Sequence, residues 1–320
     1  EITVATRSGD TPSNERQRMV RRPPEILITT PESLNIILSS PRARSMLATV
    51  RTLILDEVHA VLDSKRGTHL VTAVERLTLL AGEFQRIAVS ATVRPLERVA
   101  EFVGGYRLVG MSGEPHATAG ATAESAYERR EVTIVRAPPT KAIELTVDFP
   151  ATDPAEGAIE PGAPDTLWPH LVRDLRAIIE RNRSTLIFVS TRRHAEKITL
   201  LLNEGEPQPI AYSHHGSLSR ELRHFVEQAL KAGDLRAIVA TSSLELGIDI
   251  GSLDEVIMIR TPFTVSATLQ RVGRAGHRVG ETSRGTIYPL FGRDMVDAAA
   301  MTAASLERDI EEVRPVRGAL

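Results

Sequence analysis

Thr52-Leu-Ile-Leu-Asp-Glu-Val-His59 decides the fold. Four residues with the apolar, partly β-branched character of a strand run without a break into two carboxylates and an imidazole. In an open α/β sheet, ligands bind beyond the carboxyl ends of the strands, which is where such a polar cluster falls. Outward from this stretch the same grammar recurs. Ile26-Leu-Ile-Thr29 leads into Thr30-Pro31-Glu32-Ser33, and Arg86-Ile-Ala-Val89 into Ser90-Ala91-Thr92. Further on, Thr185-Leu-Ile-Phe-Val189 leads into Ser190-Thr191-Arg192, and Ala237-Ile-Val-Ala240 into Thr241-Ser242-Ser243. Glu255-Val-Ile-Met-Ile259 is another strand, and Ile2-Thr3-Val4 looks like one at the opening of the chain. One polar loop after a strand is ordinary; five in order point to shared sites.

Helical patterns separate these strands, so the expected fold class is α/β, with mostly parallel sheets covered by helices. Leu218, Leu222, Phe225, Val226, Ala229 and Leu230 fall on one helical face over 218–230. Thr11-Pro12 and Thr30-Pro31 each read as an N-cap followed by proline at the first helical position. A length of 320 residues suits two domains. Residues 110–126 are rich in Gly, Ala, Thr and Ser, and 150–165 hold four prolines, so both read as loops or linkers. The expected division is 1–137, 138–293 and a last stretch, 294–320, in which a helix and an Arg-Pro segment begin an accessory domain.

Composition removes several classes of function. Hydrophobic residues make up 42% and charged residues 25%, as in a globular chain. There is no cysteine, which excludes disulfides, thiolate catalysis and zinc fingers and suggests a cytoplasmic setting. No apolar run is long enough for a membrane helix, so no membrane partner is expected. The net charge is −2, with 19 basic and 18 acidic residues up to position 150 and 20 and 23 after it, so neither half is a basic module. Arginines outnumber lysines 35 to 4, which suits phosphate recognition and is equally accounted for by genome-wide codon bias. The chain opens at Glu1 with no methionine, and reads as a fragment.

Three clusters carry candidate chemistry. Adjacent carboxylates at a strand end, Asp56-Glu57, suit a hydrated Mg²⁺, with the neighbour free to act as general base; a solvated acidic turn has the same look. His59 reads equally as a structural hydrogen-bonder. Gln270-Arg271-Val-Gly-Arg274-Ala-Gly-His277-Arg278 combines glycines that permit close approach with guanidinium groups that reach phosphate, and is also compatible with an exposed basic loop. Gly247-Ile-Asp249 could approach a ribose, and His214-His215-Gly-Ser217 reads as a polar contact surface or a helix N-terminus.

Taken in order, Thr-Pro-Glu-Ser, Asp-Glu-Val-His, Ser-Ala-Thr, Ser-Thr-Arg, Thr241 through Asp249 and Gln-Arg-Val-Gly-Arg-Ala-Gly-His resemble the motifs of superfamily-two helicases. More narrowly they resemble the large helicase-related (Lhr) family of DEVH-type, ATP-dependent DNA helicases, over nearly the whole chain. The resemblance implies two RecA-like domains, ATP with Mg²⁺ between them and a nucleic-acid strand across both. It assigns Asp56 to the metal and Glu57 to the metal and to water activation, with His59, Ser90 and Thr92 as coupling residues. It assigns Gln270 and Arg274 to the γ-phosphate, Arg274 as the arginine finger, with Arg271 beside them and Gly247 and Asp249 on the ribose side. Thr30, Pro31, Glu32, Ser190, Thr191, Arg192 and Thr241 would meet the strand backbone, with little sequence preference.

Two departures qualify it. His277 stands where the superfamily usually has arginine. No Gly-x-x-x-x-Gly-Lys-Ser/Thr occurs within the 320 residues, and none of Lys65, Lys141, Lys197 and Lys231 lies in such a context. That loop cradles the β- and γ-phosphates, so the first domain is expected to be incomplete and the chain alone to be ATPase-deficient. The expected function is a fragment of an ATP-dependent helicase acting on single-stranded or partly duplex nucleic acid. DNA is favoured, RNA–DNA hybrids are an allowed substrate, and 3′–5′ polarity and DNA repair follow by analogy. The alternative is a non-hydrolysing binding module derived from a helicase.

Overall fold

The computed structural model describes residues 2–91, 93–108, 127–136, 141–150, 164–245, 253–276 and 281–316, leaving aside the side chains of 164–166 and Arg220. The chain divides into two units, Glu1–Arg136 with Glu312–Leu320, and Ala137–Glu311. The expected junction at 137/138 lies beside this division, whereas the expected third segment is shared out. Its helix packs within the second unit, and the residues after Glu311 belong to the first.

In chain order the first unit runs β1 (Val4–Arg7), α1 (Ser13–Arg21), β2 (Ile26–Thr29), α2 (Pro31–Ser39), α3 (Pro41–Arg44), β3 (Thr52–Leu55), α4 (Lys65–Ala81), β4 (Gln85–Ala88), α5 (Leu96–Gly104), β5 (Tyr106–Leu108) and β6 (Tyr127–Arg129). β1 pairs with β2 and β3 with β4, both parallel, and β5–β6 is antiparallel. The first strand lies later than Ile2–Val4, because its register with β2 begins at Val4 opposite Ile26. Helices α2 and α4 pack together, and Leu34, Ile37, Leu38, Ala73 and Leu77 meet in one of the unit's two cores. After Glu311 the chain returns here. Val313 N–H donates to Arg94 O at 2.7 Å, Arg98 donates to Val313 O at 2.8 Å and the Thr68 hydroxyl donates to Val316 O at 2.7 Å.

The second unit runs β7 (Ile143–Val147), α6 (Pro164–Arg181), β8 (Thr185–Phe188), α7 (Arg192–Asn203), β9 (Ala211–His214), α8 (Arg220–Ala232), β10 (Ala237–Ala240), β11 (Glu255–Ile259), α9 (Val265–Val272), β12 (Ser283–Tyr288) and α10 (Gly292–Glu307). Its six strands form one parallel sheet in the order β7-β12-β11-β8-β10-β9. β8, β10 and β11 are buried along their whole length, as continuous apolar runs predict for strands covered on both faces. Burying a Leu, Ile or Val side chain contributes about 1.5–3 kcal/mol each, so this sheet dominates the unit's stability. The helix expected over 218–230 forms two residues later, and only part of its apolar face is covered: Val226 and Leu230 are buried, while Leu222 and Phe225 are exposed.

Helix starts supply the link between strands and sites. Thr30 Oγ1 accepts the Ser33 N–H at 3.3 Å, Thr191 Oγ1 the His194 N–H at 3.2 Å and Thr264 Oγ1 the Ala267 N–H at 3.1 Å. Thr30 follows its strand directly and Thr191 and Thr264 follow theirs within a short loop, so the polar cluster runs into the helix N-terminus. Thr11 departs from its expected role. Its hydroxyl donates to Thr6 O at 3.2 Å and accepts the Ser8 N–H at 2.9 Å, and α1 starts without a side-chain cap.

Candidate functional site

β3 and β4 end side by side, with Leu55 opposite Ala88, so Asp56-Glu57 and Val89-Ser90 leave the sheet together. Asp56 is exposed, and its Oδ1 accepts the Glu57 N–H at 2.9 Å. Glu57 sits at φ 48°, ψ 42°, in the left-handed region, which costs a residue with a Cβ about 1–2 kcal/mol. The turn is held by Val58 N–H on Val89 O at 3.1 Å and Val89 N–H on Leu55 O at 2.8 Å. Strain of this kind persists where the surroundings over-determine it, a common property of functional sites.

His59 joins the two loops. Its Nδ1 accepts the Ala91 N–H at 3.1 Å and lies 3.3 Å from Ser90 Oγ and 3.4 Å from Glu57 Oε2. A backbone amide can only donate, so the proton of the neutral ring sits on Nε2, which is buried without a hydrogen-bond partner among the described residues. Burial holds the imidazole below its usual range, opposed by Glu57 and then Asp56. His59 is thus bonded to the Ser90-Ala91 loop and stands beside the Glu57 carboxylate. Thr92 lies outside the described residues.

β1 and β2 also end together, with Arg7 opposite Thr29. Thr30 is committed to capping, Pro31 occupies the first helical position, and Glu32 is paired with Arg66 Nε at 2.6 Å. That hydrogen bond, first among several causes, holds the Glu32 carboxyl below its usual range. Beside them stands a loop the sequence reading passed over, Ser8-Gly9-Asp10-Thr11. The buried Arg7 precedes it, and Arg16 braces it by donating to Thr11 O and Gly9 O, both at 2.7 Å. The signal was available: with the strand placed at Val4–Arg7 this is one more polar cluster at a strand's carboxyl end.

In the second unit β8, β10 and β9 are neighbours, and Phe188, Ala240 and His214 stand in register. Ser190, Thr191 and Arg192 are exposed beyond β8, and Arg192 donates to Ser217 Oγ at 3.2 Å in the loop beyond β9. Beyond β10, Thr241 Oγ1 donates to Ser243 Oγ at 3.4 Å, and Ser243 Oγ lies 2.9 Å from His214 Nδ1. His214 Nε2 is 3.2 Å from Glu227 Oε1. With Glu227 ionised, the ring proton sits on Nε2, and the one proton of the Ser243 hydroxyl is shared between His214 O at 3.0 Å and Nδ1. Burial holds this imidazole below its usual range, with Glu227 opposing. Three strand-end loops are therefore cross-linked by side chains. His214 and Ser243 carry that link with Arg192 and Ser217; the sequence places His214 and Ser243 in polar clusters, and the Glu227 partner of His214, on α8, is the residue it gives no sign of.

α9 presents the arginine-rich motif. Gln270 Nε2 donates to Ser266 Oγ at 3.3 Å. Arg271 Nε donates to Glu245 Oε1 at 3.2 Å, and its guanidinium lies 5.0 Å from the Phe188 ring centroid, so this arginine is anchored inside its own unit. Arg274 follows the helix, half-buried. Gly247, Asp249 and His277 lie outside the described residues. A cavity of about 1040 Å³, lined by Glu75, Leu79, Phe102, Tyr106 and Arg130 among others, includes none of the motif residues.

The residues fit Mg²⁺ in part and ATP in part. An exposed strand-end carboxylate such as Asp56 is the ligand Mg²⁺ takes while keeping most of its waters, and no cluster of three or more metal-ligating side chains occurs among the described residues. For the triphosphate, the 320 residues supply arginines but no glycine-rich lysine loop. No described helix is long and apolar enough to cross a membrane.

Residues 1–99 match the family described as DEAD/DEAH box helicase, and 170–279 the helicase conserved C-terminal domain. The chain is 42% identical over 98% of its length to the ATP-dependent helicase Lhr-Core protein 2 of Thermococcus barophilus, covering 34% of that protein. It is 40% identical over 98% of its length to the Lhr helicase/uracil glycosylase of Escherichia coli, covering 22% of it. The structure of Mycobacterium smegmatis helicase Lhr bound to ssDNA and AMP-PNP superposes with a TM-score of 0.84 at 43% identity, over 98% of this chain and 38% of that one. The chain thus spans about a third or less of the length of these curated relatives. Two helicase domain families matched in order, and about 40% identity to Lhr proteins across nearly every residue, show that the chain belongs to the Lhr family of superfamily-two helicases and carries its pair of RecA-like domains.

Proposed function

We propose that these residues are the motor core of an ATP-dependent nucleic-acid helicase and that, without a phosphate-binding loop, the 320-residue chain alone is ATPase-deficient. The observation that carries this reading is the placement of the polar clusters after β2, β3, β4, β8 and β10 at the carboxyl ends of parallel strands, with His59 accepting the Ala91 N–H beside Asp56-Glu57. Mg²⁺, where bound, would polarise the phosphates and lower the charge an attacking water must meet. Asp56 would hold it, Glu57 would take the proton of that water, and Gln270 and Arg274 would steady the γ-phosphate. Gly247 and Asp249 take the ribose side in this reading.

The strand runs, in this proposal, over Thr30, Pro31 and Glu32 on one domain and Ser190, Thr191, Arg192 and Thr241 on the other. DNA is the favoured track, since the M. smegmatis relative is bound to ssDNA. RNA–DNA hybrids, 3′–5′ polarity, DNA repair and a cytoplasmic setting complete the proposal.

The test compares the 320-residue chain with a longer chain extended upstream along the source gene. The longer chain is expected to hydrolyse Mg-ATP with stimulation by single-stranded DNA, and Glu57→Gln to lower that turnover by about 10²–10⁴-fold. The short chain is expected to bind single-stranded DNA with strong salt dependence and to turn over no ATP. Robust turnover by the short chain overturns the deficiency. A stop codon upstream, in place of a Gly-Lys-Thr or Gly-Lys-Ser loop, overturns the motor and leaves the binding module.

A further inference from the structure

α9 is eight residues long, carries Gln270 and Arg271, and delivers Arg274 two residues past its end. Both of its ends are gripped by charged side chains from remote parts of the second unit. At the N-terminus, Glu311 Oε1 accepts the Val265 N–H at 2.6 Å and Oε2 the Ser266 N–H at 3.2 Å, while Thr264 takes the Ala267 N–H. Three amides that a helix leaves unsatisfied are thus filled. At the C-terminus, Lys141 Nζ donates to Gly273 O at 3.2 Å and Ala275 O at 2.6 Å, on either side of Arg274. The anion is on the amino end and the cation on the carboxyl end, each the sign that the helix dipole favours.

The chain positions of these two residues give the grip its meaning. The chain passes between its two units at two points, after Arg136 and after Glu311. Lys141 is the first described residue after the first crossing, and Glu311 is the last residue before the second. Immediately past it, residues 312–316 are hydrogen-bonded along the first unit. Each covalent connection therefore ends, in the second unit, on one end of the helix that delivers Arg274. Lys141 is also one of only four lysines beside 35 arginines, and its ammonium is half-buried over the carbonyls it caps.

We propose that Lys141 and Glu311 are positioning residues that register the Arg274-bearing helix to the two interdomain connections, so that the state of those connections sets where the guanidinium stands. This rests on the reading of Arg274 as the finger. A displacement of about 1 Å in a catalytic group can cost on the order of 10²-fold in rate, so a small slip of α9 suffices.

The longer, ATP-hydrolysing chain is the protein to test, with Arg274→Ala as reference. Glu311→Ala and Lys141→Met are each expected to lower kcat by about tenfold to a hundredfold, leaving the KM for ATP and the affinity for single-stranded DNA unchanged. Lys141→Arg is expected to restore most of the rate. In an Arg274→Ala background neither change should add to the loss, because the group they position is gone. Hydrogen exchange in the 320-residue chain provides a readout free of nucleotide: Glu311→Ala should speed exchange at the Val265 and Ser266 amides and leave β8 protected. Wild-type kcat in both variants, or losses that add fully to that of Arg274→Ala, overturn the proposal while the finger reading stands. A wild-type rate in Arg274→Ala itself overturns the finger reading and this proposal with it.

Discussion

The two units solve the same problem, a parallel sheet, to different degrees. In the second, Ile187, Val239 and Ile257 are fully buried in the middle of six strands, with helices against both faces. In the first, the strands alternate: Leu55 faces a core, whereas Ile54 is 62% exposed, Ile28 54% and Val89 51%. Parallel strands ordinarily have both faces covered. Among the described residues the second unit covers its sheet on both faces, whereas the first exposes one apolar face.

The largest test of this contrast is a pair of truncations read by hydrogen exchange in urea. Ile187→Ala is expected to destabilise β8 by about 2–5 kcal/mol, and Ile54→Ala to change β3 by less than about 0.5 kcal/mol in the 320-residue chain. In the longer chain Ile54→Ala should become as costly as Ile187→Ala. Equal costs in both chains would break the contrast.

A smaller effect is the pH dependence of the second unit. Burial pushes His194 and His214 of the second unit below the usual imidazole range, so the unfolded chain takes up protons before the folded one does. Their contribution is present above the unfolded value of about 6.5 and is lost as pH falls through it toward the folded value. For His214 the slope is at most about 1.4 kcal/mol per pH unit. Urea midpoints of the second unit at pH 5 and pH 7 measure it, and His214→Gln should flatten the difference. The smallest expected effect is the same in both units. Thr30→Ala and Thr191→Ala should each cost about 1 kcal/mol, since a helix cap depends on local geometry and not on what covers the sheet. Unequal cap losses in thermal melts would show that the contrast reaches into local structure.

What was legible in the sequence follows the same physics. β8, β10 and β11 are runs of four or five residues in which almost every side chain is apolar, and each was found to within one residue. β12, Ser-Arg-Gly-Thr-Ile-Tyr, and β9, Ala-Tyr-Ser-His, escaped notice, because burial among neighbouring strands overrides their polar composition. The apolar positions expected on one face of α8 do fall together, yet Val226 and Leu230 are buried and Ala229 partly so, whereas Leu222 and Phe225 stay exposed. Among the site residues, contiguous motifs such as Asp56-Glu57-Val-His59 could be read because neighbours in sequence act together. Lys141, Glu227 and Glu311 could not, since each is a single polar residue whose partner lies 13 to 134 residues away.

The left-handed backbone at Glu57 bears on the stability of the fold. Glycine adopts that conformation freely, so Glu57→Gly would relieve strain of about 1–2 kcal/mol and leave a more stable fold. The chain carries here a side chain that its backbone disfavours, so the turn after β3 is a place where the fold is less stable than glycine would leave it.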